Sequence, residues 1–158
     1  MNPNILTALA VCIAGAFLEG LCAGSGVKKY LAELKWPSFS PSLRAWYIIG
    51  VVYYVVVFVC AYRILQRAAT EPFRNAALTL LLVTVAANAF WNALFFRAKN
   101  FRATFVFSMC YSVIVVGCWY CLSRFDHLAA FVFDLYMIYL IYANVLGYRL
   151  WRLNSRAR

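Results

Sequence analysis

Long apolar runs separated by short polar stretches form the dominant pattern along this chain. Five runs approach the ~20 residues with which a helix crosses the ~30 Å hydrocarbon core of a bilayer. None shows the sustained alternation of a strand, and an open sheet edge cannot face lipid. The pattern therefore predicts an all-α membrane protein, a single five-helix bundle over residues 1–158. The predicted spans are about 5–26, 45–65, 75–96, 103–123 and 128–148.

The first polar stretch, residues 27–44, is long, whereas the other links are short. It contains the segment Pro37-Ser38-Phe39-Ser40-Pro41-Ser42, in which prolines and serines interrupt the apolar sequence. Because proline fixes its own φ, this segment has little backbone freedom. We predict that the link forms an ordered lid loop at one end of the bundle, and that the short links make consecutive helices antiparallel.

Composition and charge support this interpretation. Hydrophobic residues make up 66% of the 158 residues and charged residues 13%, against roughly one half and one quarter in a soluble domain. The net charge is +10, but Lys and Arg lie between the apolar runs instead of forming one basic arm. We therefore interpret them as determinants of membrane topology and not as a nucleic-acid site.

The basic residues are distributed unevenly between the two sides of the predicted bundle. Eleven share the side of the long link and the C-terminus, namely Lys28, Lys29, Lys35, Arg44, Arg97, Lys99, Arg102, Arg149, Arg152, Arg156 and Arg158. Four lie on the other side, namely Arg63, Arg67, Arg74 and Arg124. By the positive-inside rule, the N-terminus faces outside and the link and the C-terminus face the cytoplasm.

Signals for catalysis or metal binding are weak. All six cysteines fall inside apolar runs, where cysteine behaves as a small hydrophobe, so we predict no disulfide framework. Cys118 and Cys121 have CxxC spacing, but there is no second pair and His127 is the only histidine, so a zinc site is not predicted. The sequence has no nucleophile elbow, P-loop or glycine fingerprint. We predict no catalytic residue, no metal and no required cofactor.

Two acidic residues, Glu19 and Asp134, lie inside predicted spans, where an acid is costly and therefore a functional candidate. Their depths differ by about 11 Å along the membrane normal, so we do not expect them to pair with each other. Arg63 is the expected partner of Asp134, and Arg149, a serine or a backbone group that of Glu19. Each acid is a structural hydrogen-bonding group, or is protonated in place, or the two belong to a small proton-coupled transporter.

Polar and aromatic side chains recur at helical spacing on two other spans. The third span carries Asn88 and Asn92 one turn apart, with Trp91 and Phe95 on the adjoining stripe. On the fifth span, one face carries Tyr136, Tyr139, Ala143 and Gly147. That face is aromatic at one end and small at the other, which makes room between helices. The pattern fits either ordinary aromatic packing or a ligand pocket.

Small residues recur every four positions on the first span, at Ala16, Gly20 and Gly24. This spacing lets a neighbouring helix approach closely, and the neighbour belongs either to the same chain or to a second subunit.

A short segment near the end of the last span fits the pattern proposed for cholesterol contact through Leu146, Tyr148 and Arg152. Tyr and Arg at the end of a spanning helix are also common interfacial anchors, so the pattern alone leaves both interpretations open.

Several residues of this chain match the motifs of a known family in type, order and spacing. They are Pro37, Phe39 and Pro41 in the link, Tyr54 and Arg63 on the second span, Asn88, Trp91, Phe95, Phe96 and Lys99 around the third, Asp126, Ala129 and Tyr136 at the start of the fifth, and Leu146, Tyr148, Trp151 and Arg152 at its end. Over nearly its whole length the chain resembles the translocator protein family, also called tryptophan-rich sensory protein (TspO) or peripheral-type benzodiazepine receptor.

The resemblance implies a membrane receptor or carrier, usually a homodimer. Such a protein holds porphyrins, sterols or synthetic benzodiazepine-like ligands in a pocket under the first link. The ligand-binding residues that the resemblance implies are Phe39, Trp46, Ile49, Tyr54, Asn88, Trp91, Phe95, Tyr139, Ala143 and Leu146. A tetrapyrrole such as protoporphyrin or heme is thus a possible ligand.

The chain departs from the family's pattern at several positions. Tyr47 and Gly50 replace the second-helix Pro and Trp, and Tyr139 replaces a fifth-helix Trp. The resemblance associates tryptophans at the last two positions with light-dependent porphyrin breakdown, so that enzymatic activity is not expected here. Ser42 replaces the second proline of the link, which predicts a looser lid.

Overall fold

The computed structural model describes residues 2–154, and over that range the chain is helical, with no strand. The helices are α1 (Pro3–Ala23), α2 (Val27–Glu33), α3 (Leu43–Gln66), α4 (Arg74–Asn92), α5 (Phe101–Phe125) and α6 (His127–Asn154). A π-helical turn, Ala93–Arg97, extends α4. The described residues contain five helices long and apolar enough to cross a membrane, which confirms the predicted all-α bundle with five spans. Arg156 and Arg158, used in the charge comparison, lie outside the described residues.

The ends of the spanning helices follow local backbone chemistry. At the N-termini of α3 and α5, the side chains of Ser42 and Asn100 accept hydrogen bonds from free backbone N–H groups. Helix α1 ends at Ala23, short of the predicted residue 26, because Gly24 adopts a positive φ of 71°. Ser42, predicted to loosen the lid, therefore also serves as the N-cap of α3.

The five long helices form a closed ring. Helix α1 packs on α3 and α4, α5 packs on α4 and α6, and α6 completes the ring by packing on α3. Within this ring, the half of the bundle opposite the link is solidly packed. Its fully buried side chains come from all five helices and include Ala8, Cys60, Leu81, Val115 and Phe133. This packed half holds the helices in place around the other half, which contains the candidate site.

The close approach of α1 to its neighbours occurs at Gly15. A Cβ atom at this position would lie 2.6 Å from Val85 Cγ1 and 3.3 Å from the Tyr54 ring, so only glycine fits. In contrast, Gly20 is exposed, and a Cβ there would meet nothing within 4 Å. The predicted stripe of small residues therefore does not mediate helix packing within the chain at Gly20.

A buried acid joins the helices at the solidly packed end. The Asp126 carboxylate is 2.9 Å from Arg63 Nε and 2.9 Å from Arg67 Nη2, and it accepts a hydrogen bond from the Ala129 N–H in the first turn of α6. Burial alone raises the pKa of Asp126, but these hydrogen bonds outweigh it and hold the pKa below its ordinary value of 3.8. One side chain thus caps α6 and ties it to the end of α3.

The predicted pairing of Arg63 with Asp134 is therefore wrong. Arg63 lies beside the link between α5 and α6, where Asp126 reaches it from the cap of α6. Asp134, two turns into α6, accepts a hydrogen bond of 2.7 Å from the indole N–H of Trp119 on α5.

We expect Asp126→Asn to lower the free energy of unfolding by about 2 kcal/mol. Asparagine preserves the helix cap but loses the charge-assisted bonds to Arg63 and Arg67. Because both arginines are partly exposed, the loss of stability is limited. Thermal or denaturant unfolding in detergent measures the effect. Glu71→Gln, at an exposed acid between α3 and α4, is the control and should leave stability within about 0.5 kcal/mol. Equal stability of the two variants would contradict the structural role of Asp126.

The same carboxylate predicts acid sensitivity. Because its pKa is lower in the folded state, its contribution to stability is complete above the ordinary value of 3.8 and is lost as the pH falls through the folded-state pKa. Between about pH 5 and pH 3, the unfolding temperature of the wild type should therefore fall more steeply than that of Asp126→Asn. Parallel pH curves for the two proteins would contradict this assignment.

Candidate functional site

A cavity of about 380 Å³ occupies the half of the bundle next to the link. Its walls come from the link, from the ends of α3, α4, α5 and α6 on that side and, at Glu19, from α1. The lining side chains are predominantly apolar and aromatic and include Trp36, Trp46, Ile49, Trp91, Phe95, Phe105, Tyr139, Ala143, Leu146 and Leu150. Among these, the Trp91 and Phe95 rings stack with centroids 4.9 Å apart. Such a wall suits a flat ligand that stacks on aromatic rings.

The link covers this cavity, and it is more regular than the predicted loop. It begins with helix α2, whose Tyr30 is buried against the Phe95 ring at a centroid distance of 5.8 Å. After α2 the chain extends, and the indole N–H of Trp36 donates a 2.8 Å hydrogen bond back to the Leu31 carbonyl. Val27, Leu31 and Trp36 line the cavity. The link thus provides an ordered cover with an apolar inner side.

Two contacts hold the link to α6. The Asn154 side chain accepts a hydrogen bond from the Lys35 N–H at 3.1 Å and donates one to the Lys35 carbonyl at 3.0 Å. One side chain thereby satisfies both backbone groups of an extended residue. Further along, the Tyr142 hydroxyl donates to the Phe39 carbonyl at 3.0 Å. The link is therefore anchored at two points of α6, three turns apart.

Glu19 brings a carboxyl group from α1 to the cavity wall. Its Oε1 atom accepts hydrogen bonds from the Tyr54 hydroxyl at 2.7 Å and from Asn88 Nδ2 at 2.6 Å. The partners predicted for Glu19 were therefore wrong. Arg149 lies instead at the outer depression beside the link, whereas α1 packs directly on α3 and α4, which carry Tyr54 and Asn88.

Tyrosines form the inner end of the cavity, next to the packed half of the bundle. The hydroxyls of Tyr111 and Tyr136 hydrogen-bond to each other, and the ring of Tyr53 lies 5.2 Å from that of Tyr136. Tyr53 is 7% exposed, and its hydroxyl has no hydrogen-bond partner within residues 2–154. A buried hydroxyl without a partner is costly, which makes it available to a ligand or a water molecule.

The cavity contains most of the predicted binding positions. Those that line it are Trp46, Ile49, Asn88, Trp91, Phe95, Tyr139, Ala143 and Leu146, and the face of Tyr136 and Gly147 on α6 also lines it. Tyr54 does not line the cavity, but its hydroxyl donates a hydrogen bond to Glu19, which does. That these residues bind a ligand remains a prediction.

Phe39 does not face this cavity, contrary to expectation. The Ser40 N–H bonds back to the Pro37 carbonyl, and this turn carries Phe39 to the outer side, where its ring packs edge-on against Tyr142. There Phe39 is 44% exposed and lines an outer depression together with Arg149 and other residues.

The residues of the segment predicted to contact sterol lie partly in the cavity and partly on the outside of the bundle. Leu146 is buried and lines the cavity, whereas Tyr148 is exposed and packs against Phe105 on the outside of the bundle. Arg152 lies at the outer depression. The three residues do not form one continuous site, because Leu146 lines the cavity and Tyr148, two positions further along the helix, points in a different direction. Sterol contact at this segment remains a prediction.

Sequence reasoning missed several lining residues of α3 and α5. On α5, Thr104, Ser108 and Tyr111 recur at helical spacing and line the cavity, as does Tyr53 one turn after Ile49 on α3. Because these hydroxyl groups recur on one helical face, the sequence could have indicated that this face of α5 lines a cavity. Asn144 on α6 also went unnoticed, although it accepts a hydrogen bond from Ser108.

Comparison with known proteins agrees with this architecture. The model of the TspO/MBR family matches residues 8–152, nearly the whole chain. The chain belongs to the TspO/MBR family. The match includes every residue that lines the cavity of this TspO/MBR protein, from Glu19 to Leu150. No individually curated protein matches the sequence.

The anchoring of the link in this TspO/MBR protein can be tested at Asn154. We expect Asn154→Ala to raise amide hydrogen exchange at Lys35 and its neighbours roughly tenfold, because both backbone groups of Lys35 lose their partner. Mass-resolved exchange in detergent or nanodiscs measures this change. Asn75→Ala, at an exposed asparagine at the opposite end of the bundle, should leave the link unchanged. Unaltered exchange in Asn154→Ala would show that this contact does not hold the link.

Proposed function

We propose that this protein is a membrane receptor or carrier that binds a flat hydrophobic ligand, a tetrapyrrole such as protoporphyrin or heme or a sterol, inside the helix bundle. The observation that carries the proposal is a cavity of about 380 Å³ with aromatic walls and an ordered cover. Ligand pockets are typically concave, mostly apolar and roughly 300–1,000 Å³ in volume, with a few polar groups that orient the ligand.

The residues on the wall supply the interactions that such a ligand needs. Trp46, Trp91 and Tyr139 come from three different helices, so that a planar ligand between them would contact aromatic surface on several sides. Asn88 adds a polar group, although Glu19 already accepts one of its amide hydrogens. Affinity would therefore come from burial and stacking, and the few polar groups would set the orientation.

Binding without breakdown of the ligand is the function that the lining favours. Gly50 and Tyr139 both line the cavity, at the positions where the resemblance implies the tryptophans of porphyrin breakdown. A glycine supplies no ring there. We therefore assign these positions to the shape of the cavity and propose no catalytic step.

Orientation and assembly belong to the same proposal. The excess of basic residues on the side of the link favours a cytoplasmic position for the cover of the cavity. The resemblance to TspO proteins suggests a homodimer, and the exposed Gly20 on α1 leaves room there for the close approach of a second subunit.

The geometry does not favour the alternative of a proton-coupled transporter that uses both intramembrane acids. Glu19 lines the cavity, but Asp134 does not, and its described hydrogen bond goes to Trp119 between α5 and α6. No described hydrogen bond connects the two acids.

Titration of the purified protein with protoporphyrin should quench tryptophan fluorescence saturably. We expect Trp91→Ala to weaken binding about tenfold, because the ligand loses a stacking partner in a desolvated wall. The measured quantity is the concentration at half-saturation. Trp151→Phe is the matched control, since Trp151 does not line the cavity and phenylalanine keeps a ring stacked on the lining residue Phe105, and it should bind as the wild type does.

A sterol added to the protoporphyrin complex separates the two ligand classes. Displacement would indicate that both share the cavity, whereas direct sterol binding without displacement would place sterol elsewhere. Absence of saturable quenching with any tetrapyrrole, together with no sterol binding, would overturn the proposed function.

A further inference from the structure

The wall of the cavity carries a single formal charge. Among its lining residues, all of which lie within residues 2–154, Glu19 is the only acid, and none is Lys, Arg or His. This contrasts with the net charge of +10 for the whole chain. A ligand inside the cavity would therefore meet one acidic group and no basic side chain.

The Glu19 carboxyl group is fixed in place and still has acceptor capacity. Its Oε1 atom receives both described hydrogen bonds, from Tyr54 and Asn88, which hold the group from two neighbouring helices. No group in the described part of the chain donates to Oε2. A carboxylate accepts at both oxygens, so Oε2 remains available to a donor that enters the cavity.

Tyrosine rings lie at the same end of the cavity. Tyr53 and Tyr136 line it, with their ring centroids 5.2 Å apart. The ring of Tyr54, which bonds to Glu19 but does not line the cavity, has its centroid 5.0 Å from that of Tyr53. Aromatic faces attract organic cations, and the combination of rings with one carboxylate is a suitable environment for a protonated amine. The buried hydroxyl of Tyr53, which has no partner in the described residues, adds an acceptor or donor beside them.

We propose that Glu19 makes the cavity selective for flat apolar ligands that carry a protonated amine or another cationic nitrogen at the end that reaches it. A charge-assisted hydrogen bond in a site of low dielectric favours such a ligand over its neutral analogue. A ligand with a carboxylate at that end would meet a like charge without a basic partner, so the two propionates of a bound protoporphyrin would have to point away from Glu19. This inference rests on the proposed function, namely that the cavity binds flat apolar molecules.

A matched set of three-ring probes tests the selectivity. 9-Aminoacridine is a cation, acridine is neutral at slightly alkaline pH and acridine-9-carboxylate is an anion, while the ring system is the same. For the wild-type protein in nanodiscs of uncharged lipid, we expect affinity to fall in that order. This ranking needs no variant and so does not depend on the folding of one.

Glu19→Gln should preserve an acceptor for Tyr54 and Asn88 while it removes the charge. We expect the affinity for 9-aminoacridine to fall by about ten- to a hundredfold and that for acridine to change by no more than about twofold. Glu33→Gln removes an exposed acid of α2 outside the cavity and controls for unspecific electrostatic attraction. It should leave all three affinities unchanged.

Several results would overturn the inference. The first is that the wild type binds the cationic and the neutral probe with equal affinity. The second is that Glu19→Gln lowers the affinity for all three probes by the same factor. The third is that no probe binds. In the first two cases Glu19 would serve only to join α1 to α3 and α4, and the proposed function would stand. In the third case the protoporphyrin titration decides separately whether the cavity binds ligands at all.

Discussion

Lipid offers no hydrogen-bond partners, and this constraint governs the whole structure. Backbone groups are satisfied within five long helices, and polar side chains at membrane depth must find partners on neighbouring helices. Tyr54 and Asn88 bond to Glu19, Trp119 bonds to Asp134, and Ser108 bonds to Asn144. Each of these contacts joins two different helices. The few polar groups in the spans thus determine which helices are neighbours and at what depth they meet.

The bundle is divided into two halves: a solid half, opposite the link, whose interior is filled by side chains, and a hollow half, next to the link, which contains the cavity. The solid half is filled by buried aliphatic and aromatic side chains and is closed by the Asp126 contacts with Arg63 and Arg67. The hollow half has larger and more polar side chains at its boundary, with Tyr53, Tyr111 and Tyr136 between the two halves. Because the solid half fixes the helix positions, the hollow half can remain open without collapse of the helices on each other.

The sequence was sufficient for the number and type of the spans, because apolar length alone specifies a membrane helix. It was also sufficient for much of the wall, since Asn88, Trp91 and Tyr139 stand at helical spacing with other lining residues. The partners of the acids were not predictable from depth alone. Arg63 meets Asp126 at the level of the helix ends, and the rotation of each helix decides which side chains face Glu19 and Asp134 deeper in the bundle. Helix α2 was not predicted, because it has only seven residues and local sequence signals for so short a helix are weak.

The division into two halves has a consequence for how a protein of this kind can diversify. Three residues that depart from the family's pattern, Tyr47, Gly50 and Tyr139, line the hollow half, whereas a fourth, Ser42, caps α3. Substitutions there alter the shape and chemistry of the wall while the side chains that stabilise the fold stay unchanged. Descendants of one bundle can therefore exchange ligands by small steps, each tolerated by the same scaffold. For protein engineering, the hollow half is the region to randomise and the solid half the region to leave intact.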